Sequence, residues 1–302
     1  MKRGLLKLGW FFVLVGILMG CQSAAPASQK AKLKVVASIP PLGDFARWVG
    51  GEWVEVTVLV GPGQSPHTFE PLPQHVKALA EADVILFNGR GLEPWASDLL
   101  ASANPQARVV YIANEPIFQT APYPGNAHLW LDVTWAKAYI TVIRETFEEV
   151  DSRAQAKSQY YDGSIKARHA LDSLKGELKR TIEAVSREKR RVAVAHAAWE
   201  PFLKPLDVYM VPLLEGAAYE GHTQEVPPQT MSQWMQLLEN ENIKAIVVEV
   251  QNPIPALNAL SQDTGIPLAQ LDPLGGAAER KGYVDMMRYN IRTLAEALQQ
   301  AR

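Results

Sequence analysis

Apolar residues along the chain alternate between short unbroken runs and runs spaced by three and four. Lys34 to Ser38, Asp83 to Asn88 and Arg108 to Ile112 read as buried or half-buried strands, and Val54 to Val60 adds a strand with partial alternation. Between them lie helical stretches at Pro41 to Val49, Pro73 to Ala82 and Glu93 to Ala101. Pro73 sits at the first-turn position that proline favours. This order predicts an α/β unit with a mainly parallel sheet.

From Trp135 to Val150, and again from Arg153 to Arg187, the spacing is helical throughout. Leu171, Leu174, Leu178, Ile182 and Val185 share one face of the second stretch. At about 1.5 Å per residue that stretch would extend roughly 50 Å, enough to run along two lobes. Gly163 and Gly176 count against it by about 1 kcal/mol each relative to alanine. Strands return at Arg191 to Ala195, Val208 to Leu214, Ile243 to Val250 and Pro267 to Leu271. Helices at Met231 to Asn240, Pro255 to Thr264 and Tyr283 to Gln299 accompany them. The expected fold is α/β: two βα lobes with mainly parallel sheets, joined by one long helix, with a cleft between them. The corresponding segments are 33–150, 151–190 and 191–302.

The chain begins differently. Lys2, Arg3 and Lys7 precede an apolar run from Leu8 to Met19, too short for a comfortable membrane span and shaped like a signal peptide over residues 1–20. Leu18-Met19-Gly20-Cys21 resembles the lipobox of bacterial lipoproteins, in which the cysteine becomes the lipidated first residue. An ordinary signal peptide with a stray cysteine is the alternative. Residues 21–32 then form a flexible tether rich in Ala, Ser, Pro and Lys.

Composition narrows the rest. The 302 residues and 47% hydrophobic content are sufficient for two cores. A formal charge of -2 gives no basic footprint for nucleic acid. Cys21 is the single cysteine, so no intramolecular disulfide forms. Neither a G-x-S-x-G nucleophile turn, nor a phosphate-cradling glycine loop, nor an H-E-x-x-H helix occurs.

Four residues at or near strand ends carry the candidate chemistry: His67, His128, His196 and Asp272. Singly, each histidine suits a structural or surface role. Together, three imidazoles and a carboxylate make a four-ligand set for a divalent cation, drawn from both lobes so that the metal bridges the cleft. His75 and His169 are assigned to solvated helix faces. His222 belongs either to a surface loop or to the cleft mouth. Glu70, Glu225 and Glu249 are candidates to orient the imidazoles, since metal-bound histidines donate their other N–H to an acceptor. Glu70 has a second role open to it, capping the following helix.

These stretches resemble the metal-specific solute-binding lipoproteins of ABC transporters, the zinc and manganese cluster A-I family, from about Lys34 to Leu298. Pro66-His67-Thr68-Phe69-Glu70-Pro71 is similar to the family's first ligand motif, and Asn88-Gly89-Arg90-Gly91-Leu92-Glu93-Pro94-Trp95 to the turn that follows it. His128-Leu129-Trp130-Leu131-Asp132 is similar to the second ligand motif. His196-Ala197-Ala198-Trp199 and Leu271-Asp272-Pro273-Leu274-Gly275 fall on the third and fourth. Asn126-Ala127 replaces the usual Asp-Pro before the second histidine, and the His-rich loop of many zinc members is absent. The resemblance implies two α/β lobes on a long helix and a monomeric, non-enzymatic receptor. Such a receptor is extracytoplasmic, lipid-anchored to the membrane through Cys21, and delivers metal to a permease with a cytoplasmic ATPase. Histidine at the third position accompanies Zn²⁺ in that family, with Mn²⁺ the alternative and iron behind it. A metal-dependent hydrolase and an adhesin are the readings from other classes. The long helix implies a small tilt on metal release rather than a wide hinge.

Overall fold

Strand β1 (Leu33–Ala37) lies inside a four-stranded sheet because its apolar run has neighbours on both sides: β2 (Val54–Val58) on one and β3 (Val84–Phe87) on the other. β4 (Arg108–Tyr111) completes the order β2-β1-β3-β4, with every pairing parallel. All four residues of β3 are buried, whereas the edge strand β2 exposes alternate positions and the edge strand β4 exposes Arg108. This is the mark of a parallel sheet covered on both faces. The crossovers run through α1 (Pro40–Gly50), α2 (Pro73–Ala80) and α3 (Ala96–Leu100). The structure, a computed structural model, describes residues 31–213, 226–252 and 254–301. The predicted signal peptide, Cys21 and most of the tether lie outside the described residues, as do His222 and Glu225.

A second sheet repeats the plan. β5 (Arg191–Val194), β6 (Tyr209–Pro212), β7 (Ala245–Glu249) and β8 (Leu268–Leu271) run parallel in the order β6-β5-β7-β8. Helices α6 (Glu200–Leu203), α7 (Pro228–Asn240), α8 (Pro255–Thr264) and α9 (Tyr283–Gln300) accompany it. In both sheets the second strand lies on one side of the first and the third on the other. The chain thus reverses direction between first and third strands, and at such points ligands lie beyond the carboxyl ends. Among the described residues, no helix is long and apolar enough to cross a membrane.

Between the sheets run α4 (Val133–Val150) and α5 (Ala154–Glu183), the latter 30 residues long, or about 45 Å. The helix stops four residues before the predicted Arg187, because Ser186 turns to an extended conformation to feed the chain towards β5. Leu171, Leu174, Leu178 and Ile182 are all buried, as their spacing predicts. Helix α5 packs along α4, meets α1 near its N-terminal half and α9 near its C-terminal half, where Glu177 receives Arg288 in a two-pronged ion pair (3.0 and 2.9 Å). One apolar core runs from the first sheet through these helices into the second lobe, and a second core covers the outer face of the second sheet.

Gly163 explains its own presence in that helix. A Cβ there would lie 2.5 Å from the carbonyl oxygens of Trp48 and Val49, so only glycine lets α5 approach the end of α1 so closely. Helix α3 is shorter than the predicted Glu93 to Ala101 for a different reason. The Glu93 carboxylate folds back to accept the Asn88 and Gly89 N–H groups and the Ser38 hydroxyl, which makes residues 88–93 a turn rather than a helical start.

The corner between α4 and α5 is set by Asp151. Its carboxylate, almost completely buried, accepts Arg153 Nε (2.8 Å), the Arg153 backbone N–H (3.0 Å) and the Tyr160 hydroxyl (2.7 Å). The Arg153 hydrogen bonds hold its pKa down to about 2, against an ordinary 3.8.

Two outcomes follow from these contacts. Gly163→Ala improves helix propensity yet lowers stability by about 1–3 kcal/mol, because the added methyl meets backbone rather than a movable side chain. Thermal unfolding measures it, and a more stable variant would contradict the close approach. For Asp151, a depressed carboxylate pKa adds stability that is complete above the unfolded value and lost as pH falls from about 4 to about 2. Asp151→Asn therefore lowers stability by about 2 kcal/mol at neutral pH. The gap from the parent closes across that acid window, as denaturant titrations at several pH values would show.

Candidate metal centre

His67 lies in the loop after β2, and aromatic residues hold that loop. The Trp95 indole donates to the Pro66 carbonyl (2.7 Å), and Phe69 packs between the Trp95 and His75 rings at centroid distances of 4.8 and 5.1 Å. His75 is not on a solvated face as its sequence position predicts. It is 8% exposed, and its Nδ1 accepts the Leu72 N–H (2.9 Å), closing the start of α2. Glu70, expected either to orient a ligand or to cap this helix, is exposed, and His75 takes the capping role. The signal for His75 was its place two residues after the helix-opening Pro73, within reach of the free N–H groups of the first turn.

His128 follows β4 by way of a long loop pinned from inside. Arg90 adopts a left-handed conformation (φ 53°) between two glycines that do the same, and its guanidinium donates to the carbonyls of Ala113, Phe118, Tyr123 and Asn126. Asn88 donates to the Ala127 carbonyl (2.9 Å) and accepts the Tyr139 hydroxyl (2.7 Å), tying the residue before His128 to the core. The His128 N–H donates to Asn126 Oδ1 (2.9 Å), with its Nδ1 3.3 Å from the same oxygen. Burial, and secondarily the His196 and His67 rings, keep the His128 pKa well below its ordinary value. The imidazole is therefore neutral at neutral pH, the state a cation requires.

His196 owes its place to sheet register. Val194 of β5 pairs with Val247 of β7, so two residues further on His196 and Glu249 meet beyond the strand ends. His196 Nδ1 lies 2.9 Å from Glu249 Oε1, and Glu249 is 7% exposed. With the proton on Nδ1, shared with the carboxylate, Nε2 is the nitrogen that carries the lone pair. Of the acidic orienting candidates within the described residues, Glu249 is the one that contacts a candidate imidazole.

The three rings converge. Centroids of His67 and His128 are 5.5 Å apart, of His67 and His196 5.7 Å, and of His128 and His196 4.9 Å. One ligand nitrogen from each lies within 4.8 Å of the others. Tetrahedral coordination with bonds of about 2.0–2.1 Å requires nitrogens about 3.4 Å apart, so ring rotations of little more than 1 Å would close the set. The rings border a cleft of about 380 Å³ whose rim includes Arg90, Asn126 and Glu200.

Asp272 stands outside this triad. It follows the end of β8 with 1% exposure, its backbone exchanging two hydrogen bonds with the buried Asn290 side chain. Its Oδ1 accepts the Leu274 and Gly275 N–H groups and the Gln251 amide, and its Oδ2 accepts Arg280 Nε at 2.7 Å. The Arg280 guanidinium in turn lies over the Tyr289 ring, 4.5 Å from its centroid. Sequence reasoning did not single out Arg280, which sits in an irregular loop without periodic signal.

Comparison with known proteins places this architecture. A family model described as zinc-uptake complex component A, periplasmic (ZnuA), matches residues 35–297. The chain is 28% identical over 313 residues to the manganese ABC transporter substrate-binding lipoprotein PsaA of Streptococcus mitis, covering 97% of this chain and 99% of that protein. It is 26% identical over 308 residues to the manganese-binding lipoprotein MntA of Halalkalibacterium halodurans, with the same coverage. Among solved structures, a crystal structure of ZnuA superposes with a TM-score of 0.74 at 25% identity, covering 88% of this chain and 99% of that one. The periplasmic zinc-binding protein TroA from Treponema pallidum shares the fold, with a TM-score of 0.78 at 22% identity over 90% of this chain and all of the other. With two matching sheets, a 30-residue connecting helix and a family model spanning nearly the whole described chain, the protein belongs to the zinc-uptake complex component A family.

Proposed function

We propose that this protein is the extracytoplasmic, lipid-anchored receptor of a zinc-importing ABC transporter. Zn²⁺ binds between the lobes on His67, His128 and His196, with Asp272 as fourth ligand, and passes to a membrane permease driven by a cytoplasmic ATPase. As a member of its family the chain is a metal-binding substrate-binding component of such a transporter and not an enzyme. What supports the site assignment is the convergence of three imidazoles, the one group of metal-ligating side chains of this kind among the described residues. Three nitrogens are also the donor count of a catalytic zinc, so it is family membership that sets the hydrolase reading aside.

The choice of zinc rests on the donors. Imidazole nitrogen suits zinc, whereas manganese favours oxygen. Manganese remains the second reading because the curated relatives PsaA and MntA are named for it. For Asp272 to complete the set, its Oδ2 turns a lone pair to the cation while Oδ1 keeps its two backbone donors. We assign the anchor to Cys21 and the division of the chain to a first lobe of residues 33–150, a linking segment of 151–190 and a second lobe of 191–302.

Calorimetric competition on metal-stripped protein tests the assignment. The expected result is one Zn²⁺ per chain, bound at least about tenfold more tightly than Mn²⁺, a preference that imidazole donors favour. His196→Ala weakens zinc more than manganese, and tighter manganese binding by the parent would overturn the zinc assignment. Glu249→Gln, which keeps the shape but weakens the acceptor at His196 Nδ1, lowers zinc affinity about 10–100-fold. An unchanged affinity would remove Glu249 from the site. In cells, Cys21→Ser moves the protein from the membrane to the soluble fraction with metal binding intact. A variant that stays with the membrane would refute the lipid anchor.

A further inference from the structure

Asn126 stands where the similar family usually carries aspartate, and its amide faces two ways. Oδ1 accepts the His128 N–H at 2.9 Å, while Nδ2 donates to the Ala197 carbonyl at 3.0 Å. Ala197 follows His196, and its carbonyl already accepts the Glu200 N–H that closes the short helical turn before α6. A carbonyl oxygen has two lone pairs, so it takes both donors. The partners fix which way the amide points, since an N–H needs the oxygen and a carbonyl needs the nitrogen. The backbone of Asn126 is itself anchored by Arg90, whose guanidinium donates to its carbonyl at 3.2 Å. Four residues earlier, Lys204 crosses from the second lobe to donate to the Pro122 carbonyl at 3.2 Å.

We infer that Asn126 is a positioning residue for metal capture, one side-chain amide that sets the His128 loop with its oxygen and the His196 loop of the opposite lobe with its nitrogen. Aspartate could serve the first half and has no N–H for the second. The asparagine therefore couples two ligand-bearing loops that belong to different sheets, and holds their rings in register before a cation arrives. This rests on the reading of His128 and His196 as ligands, and it adds that the spacing between them is set by a direct bond between the lobes rather than by the metal alone.

Hydrogen exchange on metal-stripped protein separates the two halves of the amide. Asn126→Asp keeps an acceptor for His128 and loses the donor. Segment 126–131 then exchanges as in the parent, and segment 196–203 exchanges about fivefold faster, the worth of one partly exposed hydrogen bond. Asn126→Ala loosens both segments by similar factors. With Co²⁺ as the probe, Asn126→Ala releases metal about fivefold faster and broadens the visible ligand-field band, while association stays within about twofold, because a pre-set geometry acts on dissociation more than on encounter. Unchanged exchange of 196–203 in Asn126→Asp would overturn the inference. Faster exchange in both variants with unaltered Co²⁺ binding would overturn the role of the link in metal capture, whereas a parent protein whose bound Co²⁺ lacks a tetrahedral ligand-field band would overturn the reading of the histidines as ligands.

Discussion

The site depends on a dry joint directly beneath it. Tyr283, the first residue of α9, is 1% exposed and makes contact with the first lobe through every part of its structure. Its N–H donates to Asp44, its hydroxyl donates to the Trp130 carbonyl at 2.6 Å, and its ring meets Phe45 edge-on at 4.8 Å. Trp130 answers by donating its indole N–H to the Pro273 carbonyl at 2.7 Å. Trp130 is two residues from His128 and Pro273 is next to Asp272, so the bond that joins the lobes lies close in sequence to two of the candidate ligands. Aromatic side chains of this size bury about 150–250 Å² each, or several kcal/mol per ring at about 25 cal/mol per Å². Opening the lobes widely would expose that surface.

A continuous core and the long α5 tie the two sheets together, and Gly163 lets α5 lie against the end of α1, a frame in which small tilts and loop movement cost less than a wide opening. The loops that carry the three histidines differ in how they are held. His67 hangs from the Trp95 indole, His128 is clamped by Arg90 and Asn88, and His196 is placed by strand register with Glu249 behind it. These supports act on the backbone beside His67 and His128 and on Nδ1 of His196. Burial and the two neighbouring imidazoles keep His128 neutral, the state in which an imidazole can accept a metal ion.

Much of this was legible in the sequence. Central parallel strands are covered on both faces, so Val84-Ile85-Leu86-Phe87 and Ala245-Ile246-Val247-Val248 could hardly be anything else, and the histidines that follow strands fell at the carboxyl ends where ligands collect. What stayed hidden depends on side chains turning inward. His75 looked solvated because helix periodicity says which face a residue is on, not that its ring will bend back to cap the helix. Glu93 looked like the first turn of a helix and instead closes a turn on itself. Asp272 read as the carboxylate of a four-ligand set, yet Arg280, eight residues on in an irregular loop, lies against it. Gly163 looked like a weakness because its partner, the end of α1, is more than a hundred residues away in sequence.

The most direct test of the central claim is the X-ray absorption spectrum at the zinc edge of the protein loaded with one equivalent of Zn²⁺. The account predicts four light-atom ligands at about 2.0–2.1 Å, with the multiple-scattering pattern of three imidazoles and one oxygen from a carboxylate. A first shell of six oxygens, or a scattering pattern that fits fewer than two imidazoles, would contradict it.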